Sequence, residues 1–146
     1  MIVVGFDGSA PAVTALRWAA DEAALRGVEL LVVRAWDFSR ELAAMLAEHG
    51  IADGVPPEAE VTAMVQSRLE HDVAALLPAE RLATVRCRAL EAHPAAMLVE
   101  ASAGADLLVI GPRGRGRVAS LVLGSVTLAC VQQATSPVVV VRSPED

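Results

Sequence analysis

The chain alternates between short, unbroken apolar runs and longer segments in which apolar residues recur every three or four positions. Ile2–Phe6 (IVVGF), Glu29–Trp36 (ELLVVRAW) and Asp106–Gly111 (DLLVIG) are of the first kind and predict strands buried on both faces, and Pro137–Arg142 (PVVVVR) predicts a last strand, in the core or at an edge that needs a partner. Ala83–Leu90 differs. There Val85, Cys87 and Ala89 alternate with Arg86 and Arg88, the pattern of an edge strand with one wet face. Between Ser9, a candidate N-cap, and Gly27, a candidate stop, Val13, Leu16, Ala20 and Ala23 or Ala24 mark a helical face, and Pro11 suits its first turn. Ser39–Glu48 is expected as a short helix and the stretch 50–57 as a loop. Glu58–Leu77 is expected as a long helix along Val61, Val65, Leu69, Val73 and Leu76 or Leu77. Pro94 opens a helix to about Ala103, with Gly104 behind it, and Ser125–Ala134 reads as the last helix.

Strands and helices therefore alternate, which predicts an α/β fold: an open, doubly wound parallel sheet with helices on both faces. At 146 residues, with no linker or repeat, the whole of 1–146 reads as one domain. Ligands of such sheets bind outside the carboxyl ends of the strands, where the strand order reverses. That rule directs attention to Asp7-Gly8-Ser9, Ala35-Trp36-Asp37, Glu91-Ala92-His93 and Gly111-Pro112-Arg113.

Composition removes several function classes. No apolar run approaches the ~20 residues of a membrane span. The N-terminus lacks a basic region and a cleavage pattern, so a cytoplasmic chain is expected, with no membrane partner. Cys87, on the apolar side of an alternating strand, and Cys130, in an apolar stretch, are expected reduced and packed. His49, His71 and His93 lack metal-ligand spacing. All twelve basic residues are arginine, which excludes a Walker A loop, a kinase lysine and Schiff-base chemistry. The net charge is -6, yet residues 107–144 hold Arg113, Arg115, Arg117 and Arg142 and no acid. A local cationic feature on an acidic chain suits a small anion better than a nucleic acid. Trp18 and Trp36 are expected to pack rather than to stack on bases.

The chemistry concentrates in VIGPRGRGRVASLVLGSVT, Val109–Thr127. Glycine lets a backbone approach a ligand closely, and successive amides in such a turn make a concave anion site. Gly124-Ser125 precedes a helix whose first turn leaves its amides free and carries partial positive charge. Ser125 and Thr127 add hydroxyls, and Arg113 adds charge-assisted bonds. The alternative is a solvated surface turn whose arginines keep the chain soluble.

These segments carry a resemblance. VVGFDGS, ADLLVIGPRGRG, LVLGSVT and SPVVVVR occur in an order that resembles the universal stress protein family over nearly the whole chain. The most specific part is the spacing Gly-x2-Gly-x9-Gly-Ser/Thr, met by Gly111, Gly114 and Gly124-Ser125. In that family the spacing marks the members that bind ATP. The resemblance implies a five-stranded sheet in the order 3-2-1-4-5 and a homodimer paired through the last strand, Val138–Val141. It implies that Asp7 lies near the ribose or the phosphate-metal side and that the Ala35 backbone meets the adenine edge. Gly111, Arg113 and Gly114 would wrap ribose and phosphates, and Gly124, Ser125, Val126 and Thr127 would bind phosphates. Mg2+ would bridge them. Two positions depart from the family: Pro112 stands where Ser or Thr is common, and Ala92 where glycine is usual.

Asp7 reads as a site residue or a capping acceptor, Asp37 equally as either, and His93 as a surface loop residue or a lining of the adenine pocket. No catalytic triad, HExxH or kinase signature occurs. The expected function is that of an ATP-binding regulatory module of the stress response with little or no hydrolysis. The alternatives are a slow ATPase or autophosphorylating protein, a nucleotide-free dimeric adaptor for an unidentified protein, or AMP or cAMP as the ligand.

Overall fold

The computed structural model describes residues 1–49, 56–114 and 123–142. The apolar runs form β1 (Ile2–Gly5), β2 (Leu30–Trp36), β3 (Val85–Glu91), β4 (Leu107–Ile110) and β5 (Val138–Val140). They pair in parallel in the order β3-β2-β1-β4-β5. The expected fold class and strand order are thus observed, and β3 is an edge strand with Arg86 and Arg88 exposed.

Alternate residues of the strands feed two cores. Ile2, Val4, Leu30, Val32 and Val109 pack with α1 (Ala10–Arg26) and the later helix Glu58–Leu76. Val3, Val33, Leu108 and Ile110 pack with the helices Pro94–Ala101 and Ser125–Gln133 on the other face. In chain order the helices after α1 are α2 (Phe38–His49), α3 (Glu58–Leu76), α4 (Ala79–Leu82), α5 (Pro94–Ala101) and α6 (Ser125–Gln133). α1 buries Ala12, Ala15, Leu16, Ala19, Ala20 and Ala23, a stripe of small residues that seats it closely on the sheet, while Val13 is only half-buried. Ser9 caps α1, accepting the Ala12 amide, and Gly27 ends it in the left-handed region at φ 65°, where a Cβ would be strained. α3 buries Val61, Val65, Leu69 and Val73, the i, i+4 stripe read from the sequence.

Three details depart from the sequence reading. α4 was not foreseen: it is a single four-residue turn after Pro78 with no buried residue, so it leaves no hydrophobic period to read. Trp36 packs in the core as expected, but Trp18 is 37% exposed on the outer side of α1, near Leu25 and Arg81. Arg34, inside an apolar strand, is buried and donates through Nη2 to Glu41 Oε1 of α2 at 3.0 Å. The loop reading for 50–55 and the residues Arg115, Gly116 and Arg117 lie outside the described residues. No described helix is long and apolar enough to cross a membrane.

Leu69→Ala removes a fully buried side chain and is expected to lower the unfolding free energy by about 2–5 kcal/mol. Leu25→Ala, at a position 82% exposed, should change it by less than about 0.5 kcal/mol; urea unfolding followed by circular dichroism compares the two. A second expectation concerns pH. Burial, reinforced by the Glu70 charge, pushes the Cys87 thiol up to about 11. The unfolded thiol ionises first, so the Cys87 contribution is intact below a pH of about 9 and is lost as pH rises toward 11. The urea midpoint should therefore fall more steeply above that pH in the native protein than in Cys87→Ala.

Candidate functional site

The chain runs outward from β1 to β2 and β3, then returns to place β4 beside β1. β1 leads into α1 on one face and β4 leads toward α6 on the other, so their connections diverge. A crevice at the carboxyl ends of β1 and β4 follows from this reversal of direction. Asp7 and the glycine loop meet there.

Asp7 is half-buried. Its Oδ1 accepts the Ser9 amide at 3.0 Å and the Ser9 hydroxyl at 2.6 Å, a turn that fixes the carboxylate while Gly8 takes a positive φ of 80°. Its Oδ2 faces Gly114: a Cβ built on Gly114 would stand 2.6 Å from it. Asp7 and Arg113 each make further interactions within the chain.

The three spaced glycines serve different ends. Gly111 lies against the first turn of α1, where a Cβ would meet Pro11 Cβ at 3.0 Å and the Pro11 carbonyl carbon at 3.1 Å. A side chain at 111 would therefore crowd the α1 backbone, which would have to give by a few tenths of an ångström. Gly114 has no side chain because the Asp7 carboxylate occupies its place. Gly124 is otherwise: its φ of -70° and ψ of 160° suit any residue, and a Cβ would find its nearest neighbour at 3.4 Å, an ordinary contact. Among the described residues nothing requires glycine at 124, the N-cap of α6.

Two hydrogen bonds close the base of the loop. The Gly124 amide donates to the Pro112 carbonyl at 2.8 Å, and the buried Thr127 hydroxyl donates to the Gly111 carbonyl at 2.9 Å. The sequence reading assigned both donors to phosphate; in the structure both are engaged within the chain. Pro112, which brings no amide of its own, contributes the acceptor. The first helical bond of α6 runs from the Leu128 amide to the Gly124 carbonyl at 2.9 Å. The amides of Ser125, Val126 and Thr127 precede it and have no intrahelical acceptor, as in any first turn. Ser125 is exposed beside them.

At the neighbouring strand, the Phe6 amide donates to the Val33 carbonyl at 2.9 Å, at the end of the β1–β2 ladder. β2 continues to Trp36 after β1 has turned away. Ala35, two residues on, turns its peptide groups to the same side as Val33, beyond the end of β1. Asp37 proves to be a cap: its Oδ1 accepts the Arg40 amide at 3.0 Å at the start of α2. His93 is exposed at the start of α5 without a side-chain cap bond. The structure thus brings Asp7, Gly111, Arg113, Gly114, Gly124, Ser125, Val126 and Thr127 to the ends of β1 and β4, with Ala35 at the adjoining end of β2. The sequence reading missed the Arg34–Glu41 pair, whose signal was a lone arginine in an apolar run followed seven residues later by an acid.

A doubly wound parallel sheet with a glycine loop and a helix start at its switch point defines the class of domain. The comparisons with known proteins agree, and narrow it. Residues 1–142 match the profile of the Universal stress protein family. A universal stress protein of Mycobacterium tuberculosis is 35% identical over 141 residues, which cover 97% of this chain and 45% of that one. The protein MJ0577 superposes with a TM-score of 0.72 at 19% identity, covering 99% of this chain and 97% of that one. A universal stress protein from Archaeoglobus fulgidus in complex with dAMP superposes at 0.62 with 25% identity, over 95% and 94% of the two chains. Another, in complex with cAMP, superposes at 0.60 with 23% identity, over 96% and 94%. The chain belongs to the universal stress protein family, and it spans about half the length of the curated mycobacterial relatives it matches.

The glycines supply a test of the geometry. Gly111→Ala must push on the α1 backbone and is expected to cost about 1–3 kcal/mol of stability. Gly124→Ala should leave stability within about 0.5 kcal/mol, although both glycines belong to one motif. Parallel urea titrations of the two variants measure the difference.

Proposed function

We propose that this chain binds an adenine nucleotide at the switch point between β1 and β4, with ATP the form its glycine spacing points to, and that it acts as a regulatory module. The observation that carries this reading is Gly124. A side-chain-free residue stands at a helix start where no described neighbour asks for one, which lets a ligand approach the Ser125, Val126 and Thr127 amides. Those amides and the α6 dipole favour a phosphate without any lysine. The Ser125 hydroxyl and the Arg113 guanidinium add charge-assisted bonds. The Ala35 peptide offers a donor and an acceptor to the adenine edge. Asp7 Oδ2 takes a ribose hydroxyl or a bound Mg2+. The described residues contain no group of three candidate metal ligands, so Mg2+ would be held mainly through the phosphates. Family membership and the dAMP-bound relative support the adenine class.

A nucleotide seated there would touch the loop into α1 and the loop into α6, which lead to opposite faces of the sheet. Its binding would therefore couple the two faces, and it would shift an equilibrium only by its differential affinity for the two states. The open edge at Val138–Val140 is the surface we assign to a second copy of the chain. We read the site as one of binding rather than turnover, in a cytoplasmic protein.

Calorimetric titration with ATP, AMP and cAMP, each with and without Mg2+, tests the reading, together with mass spectrometry of whatever the purified protein releases. Binding of at least one adenine nucleotide is expected, as is a loss of tenfold or more in Gly114→Ala, about 1.4 kcal/mol. In that variant the Cβ pushes the Asp7 carboxylate out of the position that its Ser9 bonds hold, and the clash is with the end of a side chain rather than with backbone. Absence of heat with all three nucleotides would overturn the proposal. Steady ADP production, lost in Asp7→Ala, would replace it with slow ATP hydrolysis.

A further inference from the structure

A parallel sheet of this order has two free edges, β3 and β5. An exposed strand edge is a template for pairing with another chain. In the β3–β2 ladder the peptide groups of successive residues alternate between partner and free edge. Gln66, on α3, lies over that free edge. Its Oε1 accepts the Ala89 amide at 2.7 Å, and its Nε2 donates to the Cys87 carbonyl at 3.0 Å. These two groups flank Arg88, and they are the pair that one residue of an added parallel strand would use: its amide to the carbonyl before, its carbonyl to the amide after. The Gln66 amide offers the same donor and acceptor side by side.

The orientation of that amide is over-determined. Nε2 also donates to Glu70 Oε1 at 2.6 Å, one helical turn along α3. The Ala89 amide can only donate, and the Cys87 carbonyl and the ionised Glu70 can only accept, so a flipped Gln66 would lose all three bonds. Arg86 and Arg88 are exposed along the same strand and add charge to the edge. β5 has no comparable device among the described residues: Val138, Val139 and Val140 are each partly exposed.

We propose that Gln66, oriented by Glu70, is a surrogate strand that seals the β3 edge and so confines association by strand addition to β5. The inference does not rest on the nucleotide reading. With β3 sealed, two chains that pair at one edge form a closed unit. With both edges open, each chain makes two such contacts and growth does not close.

Gln66→Met tests this, because methionine keeps the length and the helix propensity but neither polar bond. Two measurements are made beside the unaltered protein. Amide exchange is read at Ala89, on the free edge, and at Arg88 and Leu90, which face β2. Particle mass is followed by light scattering over a hundredfold concentration range. The expected result is Ala89 exchange at least tenfold faster in dilute solution, with Arg88 and Leu90 unchanged, and species larger than those of the unaltered protein growing with concentration. Glu70→Ala should give the same change in smaller degree. Unchanged exchange at Ala89 would overturn the proposal, and so would a folded variant with an exposed Ala89 amide and no larger species. If Gln66→Met also loses the protection of Arg88 and Leu90, Glu70→Ala, which leaves Gln66 in place, decides by the same two readouts.

Discussion

The close approach of two loops at the carboxyl ends of β1 and β4 governs this molecule. Gly111 packs so tightly on Pro11 that a methyl group there would press on the α1 backbone, and a side chain at Gly114 would displace the Asp7 carboxylate. The base of the glycine loop is then stitched by the Gly124 amide and the Thr127 hydroxyl. These contacts hold the start of α1 against the path into α6, although the two helices pack on opposite faces of the sheet. At the switch point both layers meet the same few residues, so a ligand bound there would have leverage on both.

The electrostatics follow from that geometry. The chain has no lysine and a net charge of -6, so an anion finds no general attraction to it. What it finds at the crevice is directional: amides in the first turn of a helix, a serine hydroxyl and an arginine side chain at the start of the loop. The carboxylate of Asp7 stands close by, held by two hydrogen bonds from Ser9, so any phosphate must lie on the α6 side of it. A hydroxyl or a bridging cation suits the Asp7 side. This division of donors and acceptors would give a nucleotide bound there a preferred direction.

Much of this was legible in the sequence, for physical reasons that can be named. The runs of β1, β2 and β4 are buried on both faces and read as strands without ambiguity, the valine run of β5 reads as a strand although it lies partly exposed at an edge, and the arginine alternation of β3 announced the other edge. The valine stripe of α3 and the caps Ser9 and Gly27 fixed helix positions to within a residue or two. The motif placed the loop. It did not reveal that the Thr127 hydroxyl and the Gly124 amide are engaged internally, because a spacing counts donors without saying where they point. Nor did it reveal Gln66 or the Arg34–Glu41 pair. Those depend on which residues of distant elements come to face each other, and that is decided by tertiary packing. α4 escaped because four residues without a buried side chain make no pattern.

The central claim is that the α6 start and the glycine loop grip a nucleotide through main-chain amides. Titrating the 15N-labelled protein with AMP and with Mg-ATP, while following its amide resonances, tests it most directly. The account predicts saturable shifts concentrated at Gly114, Ser125 and Val126, with a smaller set at Ala35 and Asp7 and little change in β3 or α3. Shifts confined to surfaces away from the ends of β1 and β4, or none at millimolar nucleotide, would contradict it.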